Sequence, residues 1–171
     1  MKRLVYYTLV ALIVISIINI TNSNEIIPNE SIRMRVIPNS NNTEDIYIKN
    51  KVKEYLEKDV LNMISETNSI NDVREIINNN LNTIDNNIQN IFLNNNYNMK
   101  YNINFGYNYF PTREFKGHTY EEGFYESLVI SIGEAKGDNW WCVMFPNLCL
   151  IEKNDNHQYK SIIHKIIKDI F

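Results

Sequence analysis

The chain of 171 residues is long enough for one domain with a buried core and too short for two of ordinary size. Its 44% share of hydrophobic residues is typical of a globular protein, and its 22% share of charged residues is lower than a disordered chain requires. A formal net charge of −3 gives no sign of a strongly basic nucleic-acid-binding surface. We therefore expect one globular domain and no nucleic-acid partner.

The N-terminus has the pattern of an export element. Lys2 and Arg3 precede an apolar run over residues 4–18, which is near the upper limit of about 15 residues for a signal-peptide core. This run is shorter than the roughly 20 residues that cross a bilayer. Small side chains before position 24 fit cleavage after Ser23, while the lack of alanines there favours an uncleaved anchor. Residues 1–23 are therefore predicted to be a signal peptide or a membrane anchor, through which alone the chain meets a membrane.

The first predicted strand follows a short polar linker over residues 24–30. Alternating side chains predict a strand over residues 32–37, and Pro38 ends it. The next residues are rich in helix-capping types, so Asn42 or Thr43 is expected to cap a helix.

Two long amphipathic helices are predicted next. Apolar residues recur at steps of three and four over residues 44–65 and again over residues 70–93. Their polar faces lack the excess of Lys and Arg that membrane-surface helices carry. The two apolar stripes are therefore expected to cover a core.

The periodicity then changes from that of helices to that of strands. Strict alternation predicts strands over residues 99–109 and 124–132, with Gly117 and Gly123 as turn residues between them. A further strand is predicted over residues 140–145.

The order of elements predicts an α+β fold, completed by a short helix over residues 162–170. Two long amphipathic helices are expected to pack on one face of a small, largely antiparallel sheet. Residues 31–171 would then form a single domain on the outer side of the cell membrane.

Glu126 is the unusual charged residue of the predicted strand over residues 124–132. Alternation places it on the face of Leu128 and Ile130, which should meet the helices. A buried carboxylate needs a partner, and Arg33 or Arg35 is the candidate ion-pair partner. The alternative is a strand-end carboxylate that reaches solvent.

Residues 137–149 concentrate the rarest side chains, with both tryptophans, both cysteines and one of the four prolines. In an exported chain a pair of cysteines is more often a disulfide than two free thiols, so we expect Cys142 to pair with Cys149. In an extended strand Trp140 and Trp141 point to opposite sides, so that one can anchor the core and the other can form an interface hot spot. The alternative is that both indoles are buried.

The candidate partner-binding residues share this segment. They are Asn139, Trp140, Trp141, Phe145, Pro146 and Leu148.

A catalytic constellation is not recognisable in the sequence. The three histidines are far apart, and the chain has no metal-binding His pair, P-loop, dinucleotide-binding glycine pattern or nucleophile elbow. Cys142 or Cys149 with His118 could form a thiol nucleophile and base, which a disulfide would forbid. We expect no catalytic residue, metal or cofactor. The alternatives are an exported thiol-dependent hydrolase of cell wall or protein and a purely structural envelope module.

Three stretches resemble the stage II sporulation protein R family. The longest covers residues 123–149 and contains the string N-W-W-C-V-M-F-P-N-L-C. The others are residues 33–40, with Asp45 and Lys49 following, and residues 110–113. Together they span most of the chain after the export segment.

Two positions depart from the family pattern. Asn147 stands where the family usually has a second proline, and Ala135 stands where glycine is common.

The resemblance implies an intercellular signal of endospore formation. Such proteins are exported from the forespore into the space between the two sporulation membranes, so this chain is expected there in secreted or membrane-anchored form. They activate a membrane-embedded aspartic protease of the mother cell, which removes the pro-segment of the sigma-E precursor. The resemblance implies a ligand of that protease, binding its extracytoplasmic side, rather than an enzyme.

Overall fold

The computed structural model describes residues 30–115 and 118–149, together with Tyr7 and Val10, both of which are helical. Nearly all of the predicted export segment and linker lies outside the described residues, as does the predicted helix over residues 162–170. Within the part of the chain that the structure describes, no helix combines the length and the apolar character that a membrane span requires.

The first predicted helix contains a wider turn. Helix α1 (Thr43–Tyr55) is followed directly by a π-helical segment (Leu56–Val60) and by α2 (Leu61–Met63). Asn42 caps α1 by accepting a hydrogen bond from the backbone N–H of Asp45 at 2.8 Å, as the capping pattern predicts.

The π-helical segment has a cause in the sequence. Five buried apolar side chains of this stretch recur at every fourth residue, with the buried Leu61 beside them, whereas an α-helix turns once in 3.6 residues. The apolar stripe would therefore drift around an uninterrupted α-helix. A wider π turn brings the stripe back toward the sheet. These side chains are Ile48, Val52, Leu56, Val60 and Ile64.

The second long helix, α3 (Ile70–Asn94), agrees with the predicted range to within one residue. Ser69 caps it by accepting a hydrogen bond from the backbone N–H of Asn71. One stripe of α3 is buried, and its members are Val73, Ile77, Ile84, Ile88 and Phe92.

Within the described ranges of the chain, four strands form the main sheet, and two short strands form a separate hairpin. The strands are β1 (Ile32–Ile37), β2 (Tyr101–Phe110), β3 (Arg113–Phe115), β4 (His118–Tyr120), β5 (Gly123–Ile132) and β6 (Trp140–Phe145). The order in the main sheet is β2-β5-β1-β6, in which only the β1–β5 pair is parallel. The hairpin of β3 and β4 lies in the stretch that the sequence predicts as turns.

The helices cover one face of the main sheet, which confirms the predicted α+β fold. The core joins the apolar stripes of α1 and α3 to alternate residues of β1, β5 and β6. The fully buried sheet residues on this side are Ile32, Met34, Val36, Leu128, Ile130, Ile132 and Met144. Because side chains alternate along a strand, the intervening residues of β1, β5 and β6 lie on the opposite face.

Candidate functional site

Strand β6 divides the tryptophan pair between the two faces of the sheet. Trp140 packs against the core on the helix side, where the Lys53 ammonium lies 5.4 Å from its ring centroid. Trp141 lies on the opposite face, and its ring centroid is 6.0 Å from that of Tyr120 in an edge-to-face arrangement. The alternation therefore makes Trp140 a core anchor and leaves Trp141, which is half-buried, on the second face.

Arg33 occupies the centre of that second face. Its guanidinium carbon lies 3.4 Å from the ring centroid of Tyr125, 5.3 Å from that of Phe110 and 5.7 Å from that of Trp141. These distances are within the range of cation–π attraction. We call the surface formed by Arg33, Arg35, Phe110, Tyr125 and Trp141 the arginine–aromatic face.

Arg35 extends the positive charge along the same strand. Its guanidinium carbon lies 5.2 Å from the Phe110 ring centroid, and its Nη1 donates a hydrogen bond to the backbone oxygen of Tyr109 at 3.2 Å. Arg113, at the start of β3, donates from Nη2 to the Asn139 side-chain oxygen at 3.2 Å. Two of the predicted partner-binding residues, Asn139 and Trp141, thus belong to the surroundings of the arginines.

The predicted ion pair of Glu126 with Arg33 or Arg35 is wrong. Glu126 accepts two hydrogen bonds from Arg74 of α3, from Nε to Oε1 and from Nη2 to Oε2, each at 2.8 Å. This hydrogen-bonded carboxylate raises the pKa of Arg74. The physical reason is register, because Arg33 pairs with Ser127 and therefore shares the face of Ser127, which is opposite to that of Glu126.

Phe124 marks where the helix layer ends. It lies on the side of Glu126, but the residue is 71% exposed, so the helices do not cover it. Its ring packs edge to face on that of Tyr109 at a centroid separation of 5.8 Å.

The disulfide closes the end of β6. Cys142 and Cys149 are bonded at an S–S distance of 2.07 Å, and both are buried. The Leu148 N–H donates to the Pro146 oxygen at 2.8 Å and to the Val143 oxygen at 3.2 Å, so the loop folds back on its own strand.

The remaining predicted partner-binding residues separate into two groups. Phe145 packs against the core, as Trp140 does. Pro146 and Leu148 are half-buried in the disulfide loop. The structure therefore does not bring all six candidates onto one surface.

Two loops fix where β6 begins. The loop of residues 133–139 is bound to the loop of residues 38–41 by backbone N–H groups of the first loop. Lys136 and Gly137 donate to the backbone oxygens of Asn39 and Pro38, each at 3.1 Å. The Asp138 N–H donates to the Asn41 side-chain oxygen at 2.6 Å. These bonds anchor the chain directly before the two tryptophans.

Asp45 holds the loop of residues 38–41 through hydrogen bonds to its side chains. Asp45 is 2% exposed, and its carboxylate accepts hydrogen bonds from the side chains of Asn39 at 2.9 Å and Ser40 at 2.6 Å, and from the hydroxyl of Tyr97. Burial alone would raise the pKa of Asp45, but the hydrogen bonds from Ser40, Tyr97 and Asn39 outweigh it and lower the pKa. Lys49 adds a bond from Nζ to the Asp138 backbone oxygen at 3.1 Å.

The sequence reading missed the roles of Phe110, Tyr125 and Arg113. A signal was available, because alternation in β1 places Arg33 and Arg35 on one face, away from its buried Met34. Alternation along β5 likewise places Tyr125 and Glu126 on opposite faces of the sheet. The short hairpin that carries Arg113 has no comparable signal.

Comparisons with known proteins agree with the resemblance in these motifs. The family model of stage II sporulation protein R matches residues 28–155, which include β1, the helices and all of the arginine–aromatic face. The stage II sporulation protein R of Bacillus subtilis strain 168 is 27% identical over 158 residues, covering 87% of this chain and 70% of that protein. No solved structure matches this chain. Since the family model covers well over half of its length, the chain belongs to the stage II sporulation protein R family.

Proposed function

We propose that this chain is an exported signal of endospore formation that activates a membrane-embedded aspartic protease of the mother cell and so leads to processing of the sigma-E precursor. The observation that carries the proposal is the family match over residues 28–155, which gives the chain a role in sporulation. The site of action would be the space between the forespore and mother-cell membranes, with the chain either secreted or anchored through residues 1–23.

Binding rather than catalysis is the mechanism that we propose. Both cysteines of the chain are joined in the disulfide, so neither is a free thiol for the alternative thiol-dependent hydrolase. A ligand activates a protease when it binds the active arrangement more tightly than the inactive one. The chain would supply that differential affinity from the extracytoplasmic side.

The arginine–aromatic face is the surface that we propose for this contact. Trp, Tyr and Arg are the residue types that most often dominate the free energy of protein–protein association. The half-buried Trp141 and Tyr125 and the buried Arg33 bring all three types together on the sheet face opposite the helices. Trp140 lies on the other side of the sheet and is proposed to act through stability alone.

Replacing Trp141 tests the surface. In cells that produce the protease and the sigma-E precursor, we expect Trp141→Ala to reduce precursor processing about 30-fold at equal protein level, as for loss of a hot spot of about 2 kcal/mol. The matched control is Phe124→Ala, which removes an exposed aromatic ring on the other side of the sheet and should leave processing unchanged.

Protein stability is measured alongside by thermal unfolding of each purified variant. Full processing with Trp141→Ala, or equal losses with Trp141→Ala and Phe124→Ala, would remove the arginine–aromatic face from the mechanism.

A further inference from the structure

Arg33 is a buried cation whose polar atoms are incompletely satisfied. The residue is 4% exposed, and among the described residues its Nε has no hydrogen-bond partner. The Nε of Arg35 is likewise buried, with no hydrogen-bond partner in the part of the chain that the structure describes. Burying a charge is costly unless it is paired, and aromatic rings offset only part of that cost. The aromatic rings of the arginine–aromatic face therefore do not fully compensate the positive charges of Arg33 and Arg35.

A third cation adds to this charge. Arg113 is exposed, and its charge lies close enough to Arg35 to act together with burial, the larger cause, in lowering the pKa of Arg35. Among the side chains that the structure describes, no carboxylate forms an ion pair with Arg33, Arg35 or Arg113. Like charges at close range raise the free energy of the unbound protein, and an anion relieves this repulsion.

The three arginines differ in how far they are buried. Arg33 is buried, Arg35 is half-buried and Arg113 is exposed, so the positive charge forms a gradient from the sheet to the surface. Trp141 and Tyr120 stand beside this gradient, edge to face. An extended peptide could place an anionic side chain over the arginines and an apolar neighbour on the Trp141 ring.

We propose that the arginine–aromatic face binds an acidic peptide segment of the partner, with a Glu or Asp carboxylate held by Arg35 and Arg113 above the charge of Arg33. Guanidinium groups pair with carboxylates through two parallel N–H···O bonds, which an ammonium cannot reproduce. A carboxylate suits this site better than a phosphate because a singly charged group is less costly to desolvate among aromatic rings. The identity of the partner rests on the proposed function, whereas the chemistry of the site does not.

The direct test is NMR of the full chain, in detergent micelles, with ¹⁵N-labelled arginine. The probe is a capped peptide Gly-Leu-Glu-Leu-Gly, and its control is the same peptide with Gln in place of Glu. We expect the Glu peptide to shift the Nε–H resonances of Arg35 and Arg113 saturably and the Gln peptide to leave them in place. Absence of a saturable shift with the Glu peptide, or equal shifts with both peptides, would overturn the proposal.

Charge variants locate the site. Arg35→Lys keeps the charge but loses the forked donor, so we expect affinity for the Glu peptide to fall about tenfold. Arg113→Gln should cause a loss of similar size. Lys58→Gln, which removes one exposed cation from the helix layer, is the matched control and should change nothing. Equal effects of all three variants would indicate nonspecific charge attraction and would contradict the proposal.

Two further outcomes separate this inference from the proposed function. Inorganic phosphate is titrated in parallel, and a saturable shift with phosphate but not with the Glu peptide would assign the site to another ligand class and overturn the proposal. Peptide binding is measured without the protease. A chain that binds the Glu peptide but fails to activate the protease would therefore contradict the proposed function alone. A chain that activates the protease but does not bind the peptide would contradict this inference alone.

Discussion

The carboxylate of Asp45 stays charged although it is almost completely buried. Hydrogen bonds from Ser40, Tyr97 and Asn39 replace the water that it loses, and they lower its pKa below the ordinary value. Burial raises the pKa of Tyr97, and the hydrogen bond that its hydroxyl donates to Asp45 raises this pKa further. Asp45 thus links the cap of α1 to the loop on which β6 depends.

Replacing Asp45 should make stability less dependent on pH. Because the pKa of Asp45 is lower in the folded protein than in the unfolded chain, its stabilising effect is complete above the unfolded value of about 4 and is lost as pH falls through the folded value. We expect Asp45→Asn to lower the free energy of unfolding by about 2 kcal/mol at pH 7. The difference from the wild type should shrink below about pH 4.

Urea unfolding across pH measures this effect. Asp138→Asn changes an exposed acid of the neighbouring loop and should cost little at any pH. A difference between Asp45→Asn and the wild type that is constant from pH 7 to pH 3 would show that the Asp45 charge is not what stabilises the loop.

Single residues of the site were predictable only in part. The opposite directions of Trp140 and Trp141 follow from strand alternation alone, and the disulfide follows from an exported pair of cysteines. The partner of Glu126 was not predictable, because it depends on how α3 crosses the sheet and not on any local pattern.

The loop of residues 133–139 illustrates how an element is placed by close backbone contact. A Cβ at Gly137 would lie far inside the contact distance of the Ser40 backbone oxygen. The neighbouring backbone cannot move away, because the Gly137 N–H is bonded to the Pro38 oxygen. Position 137 therefore excludes every side chain for steric reasons.

Gly137→Ala should separate the two loops. We expect it to lower the free energy of unfolding by about 2 kcal/mol, the usual size of an overpacking effect, and to reduce protease activation with it. Gly123→Ala is the control, since a Cβ there would meet the Tyr125 ring at an ordinary 3.4 Å. Chemical unfolding of both variants checks the prediction, and an unchanged stability of Gly137→Ala would contradict the loop contact.

Elements with a clear period were predictable, and irregular ones were not. The ends of α3 and the face alternation of β5 follow from the spacing of apolar residues. The π-helical segment reconciles a four-residue spacing of buried side chains with the 3.6-residue turn of an α-helix. Both spacings are compatible with a single amphipathic helix, so the sequence pattern predicted one uninterrupted helix. The β3–β4 hairpin has strands of three residues, too short to show a period.

The main sheet, around which the described residues are arranged, has two chemically different faces. One face is covered by helices and is apolar, whereas the other gathers arginines and aromatic rings and receives Trp141 from β6. The residues of the helix-covered face are predictable from the sequence, because the burial of apolar side chains drives its formation. The arginine–aromatic face depends on strand order, in which β1 lies between β5 and β6, and strand order has no local signature.

Reconstitution from purified components shows whether this chain activates the protease. The protease is placed in vesicles with the sigma-E precursor on its cytoplasmic side, and this chain is titrated on the extracytoplasmic side. We predict that precursor cleavage rises saturably with the chain, falls about 30-fold with Trp141→Ala, and is absent when the chain is present without the protease. Cleavage by the chain alone, or protease activity that does not change with the chain at any concentration, would show that the chain is not an activating ligand of the protease.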